Sequence, residues 1–412
     1  MIYCRMIVVC FLLCMLLPVS AMAAMEIHPR LSLEQEYNDN IDLTADNEEE
    51  DWITTVEPGI NLLYNNRSLE ATIDYALRYR FYKDNDDENL DEFKDVQRAD
   101  ASVLLFPGRP FTLRASESIT REALDERDDN EFNDSVNRTT VYRTLVSPEY
   151  NWRLTPTFSL VFGYDYDRVD YVEAAGDDSE EHRGRLSLVK ILSAQTEIFA
   201  RYAYTAHLAD ADIDDFDRQD MTLGVTHKLG ARTTLSLEAG YADIEYDNAP
   251  ADDTDSPTYL ADLAYRLTEA VTLSLGYAQD FTVSAEDGLI KDRELSLGLD
   301  YDRETITAAA QLFWNQADYV RLEREDKVYG VRFDFSRQLA RAITTGFDIE
   351  YERGEYEDPT EDVDRFTAGV RLGYEYRRFL ASLGYRYRIN ESDLDSNDYT
   401  NNIVTLRGSV RF

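Results

Sequence analysis

Apolar and polar residues alternate with a period of two along most of this chain. In the clearest segment, 379–390, one face carries Phe379, Ala381, Leu383, Tyr385, Tyr387 and Ile389. Apart from Leu380, the other face is polar or small, with Ser382, Gly384, Arg386, Arg388 and Asn390. Segment 69–82 repeats the pattern. A period of two would scatter apolar side chains around a helix, so these segments are predicted to be β-strands with one apolar face.

Tight turns and longer acidic connections separate the alternating segments in strict succession. The tight turns fall at Asn65-Asn66, 107–110, Thr155-Pro156, Ser193-Ala194, Gly230-Ala231, Thr268-Glu269, Arg303-Glu304, Ala340-Arg341 and Arg377-Arg378. The longer connections are 39–50, 84–95, 125–134, 173–181, 210–217, 247–255, 285–289, 322–327, 355–362 and 391–398. Ten connections and nine turns give twenty antiparallel strands, with both termini on the short-turn side. Eighteen strands is the alternative, because the first hairpin is the least regular.

A closed barrel explains why so many strands have one apolar face. No apolar run after residue 24 approaches the roughly 20 residues that a membrane helix needs, and only helices and closed barrels can cross hydrocarbon. Short turns at one rim and long loops at the other are typical of bacterial outer-membrane barrels. The expected fold is therefore all-β: a transmembrane, antiparallel, up-and-down β-barrel with short periplasmic turns and long acidic extracellular loops. A soluble repeat sandwich with tyrosine-rich strands is the alternative.

Tyrosines cluster toward the loop ends of the predicted strands. Such positions suit rings with one wet end, so these residues are expected to form the outer aromatic girdle. They are Tyr79, Tyr166, Tyr204, Tyr241, Tyr277, Tyr351 and Tyr387.

The N-terminus has the features of a secretory signal peptide. Arg5 supplies the positive charge, residues 7–17 form an apolar core, and Ala21-Met22-Ala23 is a small-x-small cleavage site. We expect residues 1–23 to be removed during Sec export, leaving 24–412 as a single outer-membrane barrel domain. All three cysteines lie within the signal, so the mature chain is expected to contain no disulfide and no reactive thiolate.

The charge of the mature chain excludes one class of partner. Without Arg5, 41 basic and 81 acidic residues remain, a net charge of −40. Nucleic acid needs a partner of the opposite sign, so nucleic-acid binding is excluded. The 28 tyrosines and 18 phenylalanines argue against the disorder that such acidity might otherwise indicate.

The last residues provide an independent indication. Leu406, Val410 and the terminal Phe412 share one face of an alternating segment. This resembles the C-terminal signal that the barrel-assembly machinery reads in outer-membrane proteins of Gram-negative bacteria. The expected partners are therefore that machinery during insertion, and afterwards outer-membrane lipid and lipopolysaccharide.

Strand parity predicts which charged residues face the lumen. The inward arginines are expected to be Arg78, Arg80, Arg114, Arg201, Arg266, Arg332, Arg371, Arg386, Arg388 and Arg407. The inward acids are expected to be Asp74, Asp165, Glu238, Asp262, Asp300, Asp334, Asp348 and Glu350. Cross-strand ion pairs that stiffen a wet interior are one interpretation. The other is a guanidinium ladder for a carbohydrate with carboxylate groups, because arginine pairs with such anions in bidentate fashion.

No pattern in the sequence indicates catalysis, a cofactor or a metal. His28, His182, His207 and His227 fall in different segments, without metal-ligand spacing or a serine partner. The acidic runs 84–88 and 210–215 lack the spacing of a calcium-binding hand. They are interpreted as solvated loops that repel self-association, with divalent bridging to lipopolysaccharide phosphates as the alternative.

The opening of the mature chain resembles a known family. Pro29-Arg30-Leu31-Ser32-Leu33 leads to Glu36-Tyr37-Asn38-Asp39-Asn40-Ile41, and Trp52-Ile53-Thr54 and Glu57-Pro58-Gly59-Ile60 follow. These residues are similar to the start of the β-barrel porin type 2 family, particularly its members associated with exosortase (PEP-CTERM) and exopolysaccharide systems. The resemblance covers about the first sixty residues. It implies export of extracellular polysaccharide. An exporter with no periplasmic module of its own is expected to need separate periplasmic and inner-membrane export proteins as partners.

Two other functions fit the same barrel. One is a general diffusion porin that its acidic mouth makes cation-selective, and the other is a non-conducting structural or surface-assembly barrel. Barrels of about sixteen to eighteen strands leave an aqueous channel, whereas those of about twenty-two hold a plug. No segment of this chain is long enough to form a plug domain, so the barrel is expected to conduct unless its loops fold inward.

Overall fold

The computed structural model describes residues 25–125, 127, 136–172, 176–210, 215–248, 253–285, 287–322 and 324–412. The predicted signal peptide, 1–23, lies outside the described residues. The strands are β1 Met25–Asn38, β2 Asp51–Asn65, β3 Leu69–Leu77, β4 Tyr79–Tyr82, β5 Gln97–Leu105, β6 Phe111–Ala123, β7 Arg138–Thr155, β8 Phe158–Tyr171, β9 Ser179–Ser193, β10 Thr196–Ala209, β11 Phe216–Lys228, β12 Thr233–Tyr246, β13 Thr254–Arg266, β14 Val271–Val283, β15 Leu289–Arg303, β16 Ile306–Tyr319, β17 Arg324–Ala340, β18 Ile343–Tyr356, β19 Glu361–Tyr376, β20 Phe379–Ser392 and β21 Tyr399–Arg411.

The strands close into one antiparallel barrel. Each strand pairs with the next along the chain, and β1 pairs with β21 from Arg30↔Arg411 to Asn38↔Ile403. β3 and β4 both pair with β2 and together form one barrel strand, so the barrel has twenty strands. The predicted fold class is confirmed, with twenty strands rather than eighteen. The first hairpin, expected to be the least regular, pairs without a bulge from Met25↔Tyr64 to Asn38↔Asp51.

The irregular strand is the third. Between β3 and β4 the backbone NH of Arg78 donates to the carbonyl of Val96 at 2.7 Å, whereas Arg80 already pairs with Leu90. The five residues between Leu90 and Val96 are accommodated by a helical turn, Phe93–Val96. The described helices are single turns, and none is long and apolar enough to cross a membrane.

The two rims of the barrel carry opposite charge. Ten connections join strands at the loop rim, and by sequence they contain 37 acidic and 4 basic residues. They are residues 39–50, 83–96, 124–137, 172–178, 210–215, 247–253, 284–288, 320–323, 357–360 and 393–398. The nine turns at the other, short-turn rim contain 6 basic and 2 acidic residues. The molecule therefore has a strong charge gradient along the barrel axis.

The outward face forms an apolar band around the barrel. Leu263, Leu275 and Leu297 are paired across β13, β14 and β15, and the row continues through Leu312 on β16. Leu275 and Leu297 are 44% and 41% exposed, and most exposed large side chains of the other strands follow the same parity. A soluble protein would not present such a continuous apolar surface to water, so this band is the surface that contacts lipid.

The tyrosines predicted to form the outer girdle lie on this outward face, near the loop ends of their strands. The hydrogen bonds of tyrosines on this face explain why they lie near the loop ends. Tyr351 donates its hydroxyl hydrogen to Asp364 at 2.6 Å, and Tyr329 donates to Glu355 at 3.1 Å. Each ring therefore contacts the apolar band while its hydroxyl reaches a carboxylate nearer the loops.

The alternation reverses phase where the strands leave the apolar band. Along β12 the outward residues change from Leu235 and Leu237 to Asp243 and Glu245, while the inward residues change from Ser236 to Ile244 and Tyr246. We call the inward apolar ring at the loop rim the mouth collar. It comprises Ile53, Tyr82, Val141, Phe216, Ile244, Tyr246, Ile290, Tyr356, Val363 and Ile403, all nearly fully buried.

A polar seam joins the first loop to the last strand. Asn401 donates from its amide to Asn38 at 2.6 Å and to the carbonyl of Asn40, and the Asn40 amide donates to the carbonyl of Thr400 at 3.0 Å. Asn402 bonds Asp39 through its backbone NH and side chain. The segment 38–40 of the family-like opening therefore helps to close the barrel.

The lipid-facing assignment can be tested at two adjacent residues of β14. Leu275 faces outward, whereas Ser274 faces the lumen opposite Gly298. We expect Leu275→Arg to lower the free energy of unfolding by about 2–4 kcal/mol, because it places a charge in hydrocarbon. Ser274→Arg should cost far less. Denaturant titration of the refolded protein in lipid vesicles measures both, and an equal loss for the two variants would contradict the assignment.

Candidate functional site in the barrel lumen

The pairing registers place all ten of the expected arginines on the inward face. The row of partners Gln311, Arg332, Glu350, Thr367, Arg388 and Asn401 runs across β16 to β21 and faces the lumen. The remaining eight arginines occupy equivalent inward positions in their strands, and so do the eight expected acids.

Cross-strand ion pairs engage half of these arginines. Arg332 donates to Glu350 at 2.6 Å, Arg80 to Glu36 at 3.2 Å and Arg407 to Glu57 at 3.4 Å. Longer pairs join Arg201 to Glu238 at 3.8 Å and Arg386 to Asp348 at 3.6 Å. Of the two interpretations of the lumen charges, these contacts support the wall-stiffening pairs.

The other five arginines fall into two groups. Arg114, Arg266 and Arg371 are exposed to the lumen and form no ion pair within the described part of the chain. Arg78 lies in a closely packed part of the wall beside Thr55 and Arg407, Arg388 lines a polar cavity, and both have partners of their own. Only a minority of the expected guanidinium ladder is thus free to meet an anion.

The lumen contains two large cavities at different depths. One, of about 540 Å³, lies against the inward faces of β15 to β20, and its lining includes Gln311, Phe313, Arg332 and Glu350. The other, of about 820 Å³, lies toward the short-turn rim, beside Arg30, Arg341, Arg407 and Arg411. Both are lined by charged and polar side chains, so both are environments for water and hydrophilic solutes.

A side chain from the third loop crosses the mouth to the opposite wall. Arg127 follows β6, and its guanidinium donates to both carboxylate oxygens of Asp326 on β17, at 2.9 and 2.8 Å. It also donates to the carbonyl of Asp358 at 3.3 Å and lies 5.2 Å from the Tyr356 ring. Arg365 donates to the carbonyl oxygen of Arg127. Nine strands separate β7 from β17, so this contact joins opposite sides of the barrel.

The crossing limits the width of the mouth. Asp125 is still bonded to Asn137 at the end of the β6–β7 hairpin, and Arg127 is only two residues further on. Two residues of backbone span at most about 7 Å, so the backbone of Arg127 stays near the end of the hairpin. Its side chain contacts Asp326, and the opposite wall therefore lies close to this hairpin at the loop rim.

A second contact joins loops from separated parts of the rim. The backbone NH of Asp177, between β8 and β9, donates to the carbonyl of Ala285, between β14 and β15, at 2.9 Å. Together the two contacts show that loops fold inward over the mouth, the one condition under which we expected the barrel not to conduct freely. The sequence did not indicate either contact, although the phase reversal in β12 was visible and could have revealed the covered mouth collar.

The acidic loops are crowded together at the same rim. Burial raises the pKa of Glu88, and the nearby carboxylates of Asp42 and Asp87 raise it further. Among the described residues, no group of three or more His, Cys, Asp or Glu side chains is arranged to hold a metal ion. Most of the acidic run 210–215 lies outside the described residues.

The histidines occupy unrelated positions. His28 lies 3.3 Å from Glu26 near the short-turn rim, and His182 is on the outward face, 2.7 Å from the Tyr164 hydroxyl. His207 is buried and stacks on Phe216 of the mouth collar, and His227 contacts Thr196 at 2.8 Å. The structure does not bring them together.

The residues of the expected assembly signal lie on the outward face of β21. Leu406 and Phe412 are about 60% exposed, and Val410 shares their parity. The backbone NH of Phe412 donates to the carbonyl of Pro29 at 2.9 Å, so the C-terminus joins the closing pair of strands.

The closed twenty-strand barrel, its outward apolar band and its polar lumen define a transmembrane β-barrel of the outer-membrane type. No family model matches the sequence, and no curated protein does. Among solved structures, the FrpB iron transporter of Neisseria meningitidis (F3-3 variant) is similar, with a TM-score of 0.51 and 9% identity over 95% of this chain and 83% of that one.

Two structures from Pseudomonas aeruginosa are similar to the same degree. The siderophore receptor PirA has a TM-score of 0.51 and 12% identity, and covers 94% of this chain and 80% of its own. A mutant of the ferric enterobactin receptor PfeA has a TM-score of 0.52 and 9% identity over the same shares. At these identities the likeness shows the fold alone.

Removing the Arg127 crossing should widen the mouth. Losing one partner of a buried ion pair costs about 3–5 kcal/mol, so we expect Arg127→Gln to release the crossing and increase single-channel conductance in a planar bilayer. The loss of stability should be at the lower end of that range, since Arg324 remains 3.4 Å from Asp326. Arg121→Gln, on the same hairpin, is the control and should leave conductance unchanged. Equal conductance in all three proteins would mean that the crossing does not limit the current.

Proposed function

We propose that this protein is an outer-membrane channel for hydrophilic solutes, and that its solute is an extracellular polysaccharide leaving the cell. The observation that carries the channel is the inward face, which offers polar and charged side chains at every strand and surrounds cavities of about 540 and 820 Å³. A purely structural barrel could fill such an interior with apolar side chains. Instead, the described apolar residues inside the barrel are concentrated in the mouth collar.

Polysaccharide export is supported by the family-like opening of the mature chain. Its segment 38–40 belongs to the seam that closes the barrel, so part of the resemblance has a structural reason. Under this proposal the precursor is exported through Sec with loss of residues 1–23. The barrel-assembly machinery inserts the mature chain, and periplasmic export proteins deliver the polysaccharide. No catalytic role is proposed.

The charge gradient favours a second candidate, a cation-selective diffusion porin. By sequence, the connections at the loop rim contain 37 acidic residues and four basic ones, and a mouth with an excess of one charge concentrates counter-ions. A general porin would use that field to admit cations, whereas an exporter would use it to keep the emerging chain in solution. The two functions differ in what is lost when the gene is deleted.

The channel itself is tested by reconstitution. We expect the refolded protein to give stepwise currents in a planar bilayer, with cations more permeant than anions. The preference should decrease as salt is raised, since the Debye length falls from about 10 Å at 0.1 M to about 3 Å at 1 M. If wild type and Arg127→Gln are both silent while folded, the barrel is not a channel.

The solute is tested in the cell. Deleting the gene should abolish secreted polysaccharide and leave uptake of small hydrophilic solutes unchanged, because an exporter serves one polymer. Complementation with the wild-type gene is the control. Normal polysaccharide together with impaired uptake of small cations would replace the exporter with the diffusion porin.

A further inference from the structure

An aromatic ring faces the polar cavity in the middle of the barrel. Phe313 on β16 is paired with Ser296 and Gly330 at inward positions, while the next residue, Trp314, faces outward. The ring is only partly buried and lines the cavity of about 540 Å³. Exposing apolar surface to water is unfavourable, so a partly exposed phenylalanine in a charged wall suggests a ligand that covers it.

The wall is shaped to seat this ring. Gly330 has no side chain, and a Cβ there would overlap the carbonyl oxygen of Tyr351 and lie 2.7 Å from Cζ of Phe313, so a larger residue would clash with both the next strand and the ring. A second inward phenylalanine, Phe199, is also seated against a glycine of the next strand, Gly224. The guanidinium of Arg201 lies 4.8 Å from the centre of the Phe199 ring. Among the described residues, no cation or second ring packs on Phe313 in that way.

Hydrogen-bonding groups surround Phe313 on the same face. Gln311 and Asn315 flank it along β16, and Glu294 and Ser296 lie beside it on β15. Arg332, the partner of Gln311, donates to Glu350. An aromatic face bordered by amide, carboxylate and guanidinium groups suits a sugar ring, which has apolar C–H faces and hydroxyl groups around its edge.

The charges of the cavity favour a neutral sugar. Its lining contains five carboxylates and four guanidinium groups. Three of the arginines already pair with Asp326, Glu352 and Glu350. The remaining carboxylates, Asp292 and Glu294, would repel an added anion, whereas they accept hydrogen bonds from hydroxyl groups readily.

We propose that this cavity is a binding subsite for one pyranose ring of a neutral carbohydrate chain. Phe313 contacts a C–H face of the sugar, and Gln311, Asn315 and the Arg332–Glu350 pair bond its hydroxyl groups. A volume of about 540 Å³ lies within the range of about 300–1,000 Å³ usual for small-molecule sites. This inference rests on the proposed channel function and names the chemical class of its solute.

Binding can be measured apart from conduction. Saturation-transfer NMR on the refolded protein in detergent would test linear hexasaccharides of glucose, mannose and galactose, with hexagalacturonate as the anionic counterpart. At least one neutral chain should bind more tightly than hexagalacturonate. Phe313→Ala should weaken that binding about tenfold, the size expected for loss of an aromatic contact. Phe313→Leu, which keeps the apolar bulk, should weaken it as well.

Phe199→Ala is the matched control, because it removes an inward phenylalanine seated on a glycine outside this cavity. It should leave the dissociation constant unchanged. Loss of binding in Phe199→Ala, full binding in Phe313→Leu, or binding of hexagalacturonate in preference to every neutral chain would overturn the subsite. A conducting wild type that binds no neutral chain would also overturn it and leave the channel standing. A silent wild type that binds one would keep the subsite and remove the channel.

Discussion

Hydrocarbon offers the backbone no hydrogen-bond partner, and this constraint underlies the whole structure. Every NH and carbonyl in the membrane must pair with a neighbouring strand, so the sheet has to close, as β1 and β21 do. Closure separates an outside in lipid from an inside in water, and a strand presents successive side chains to the two. The row from Leu263 to Leu312 and the row from Gln311 to Asn401 are the two sides of that one constraint.

The same constraint shows where the membrane ends. Beyond the outer tyrosines the outward face meets water, so Asp243 and Glu245 replace leucine along β12. The inward face there is covered by loops, so Ile244 and Tyr246 replace serine and glutamate. The barrel thus has two apolar regions with opposite orientation, a band outside in lipid and a collar inside beneath the loops. The hydrophobic effect forms both, and only the position of water differs.

How much the sequence predicted follows from the range of the interactions involved. The twenty strands, their turns and the inward arginines depend on residues two apart, so alternation was enough to predict the strands and the inward faces. The helical turn at Phe93–Val96 accompanies the non-local hydrogen bond of Arg78 to Val96, and the amide seam and the Arg127 crossing likewise join residues far apart in the chain. Arg127 stands out as a cation among acidic neighbours, but no local pattern indicates that it contacts Asp326 on the opposite wall. The position of Phe313 inside a charged wall was readable from parity, but its seat on Gly330 required the register of β16 with β17.

In the proposed channel, the two charge patterns of the barrel would act on a moving solute at different stages. Inside, guanidinium and carboxylate groups neutralise each other across strands, so a neutral hydrophilic chain meets hydrogen-bonding groups without a strong net field. At the loop rim the acids exceed the bases by 33, so the field is strong where the solute leaves or enters. Recognition by a paired wall depends little on salt, whereas permeation past the acidic mouth depends on it strongly. Under the two proposals, selectivity among sugars and selectivity among ions should therefore reside in different parts of this barrel, the first at mid-depth beside Phe313 and the second in the loops.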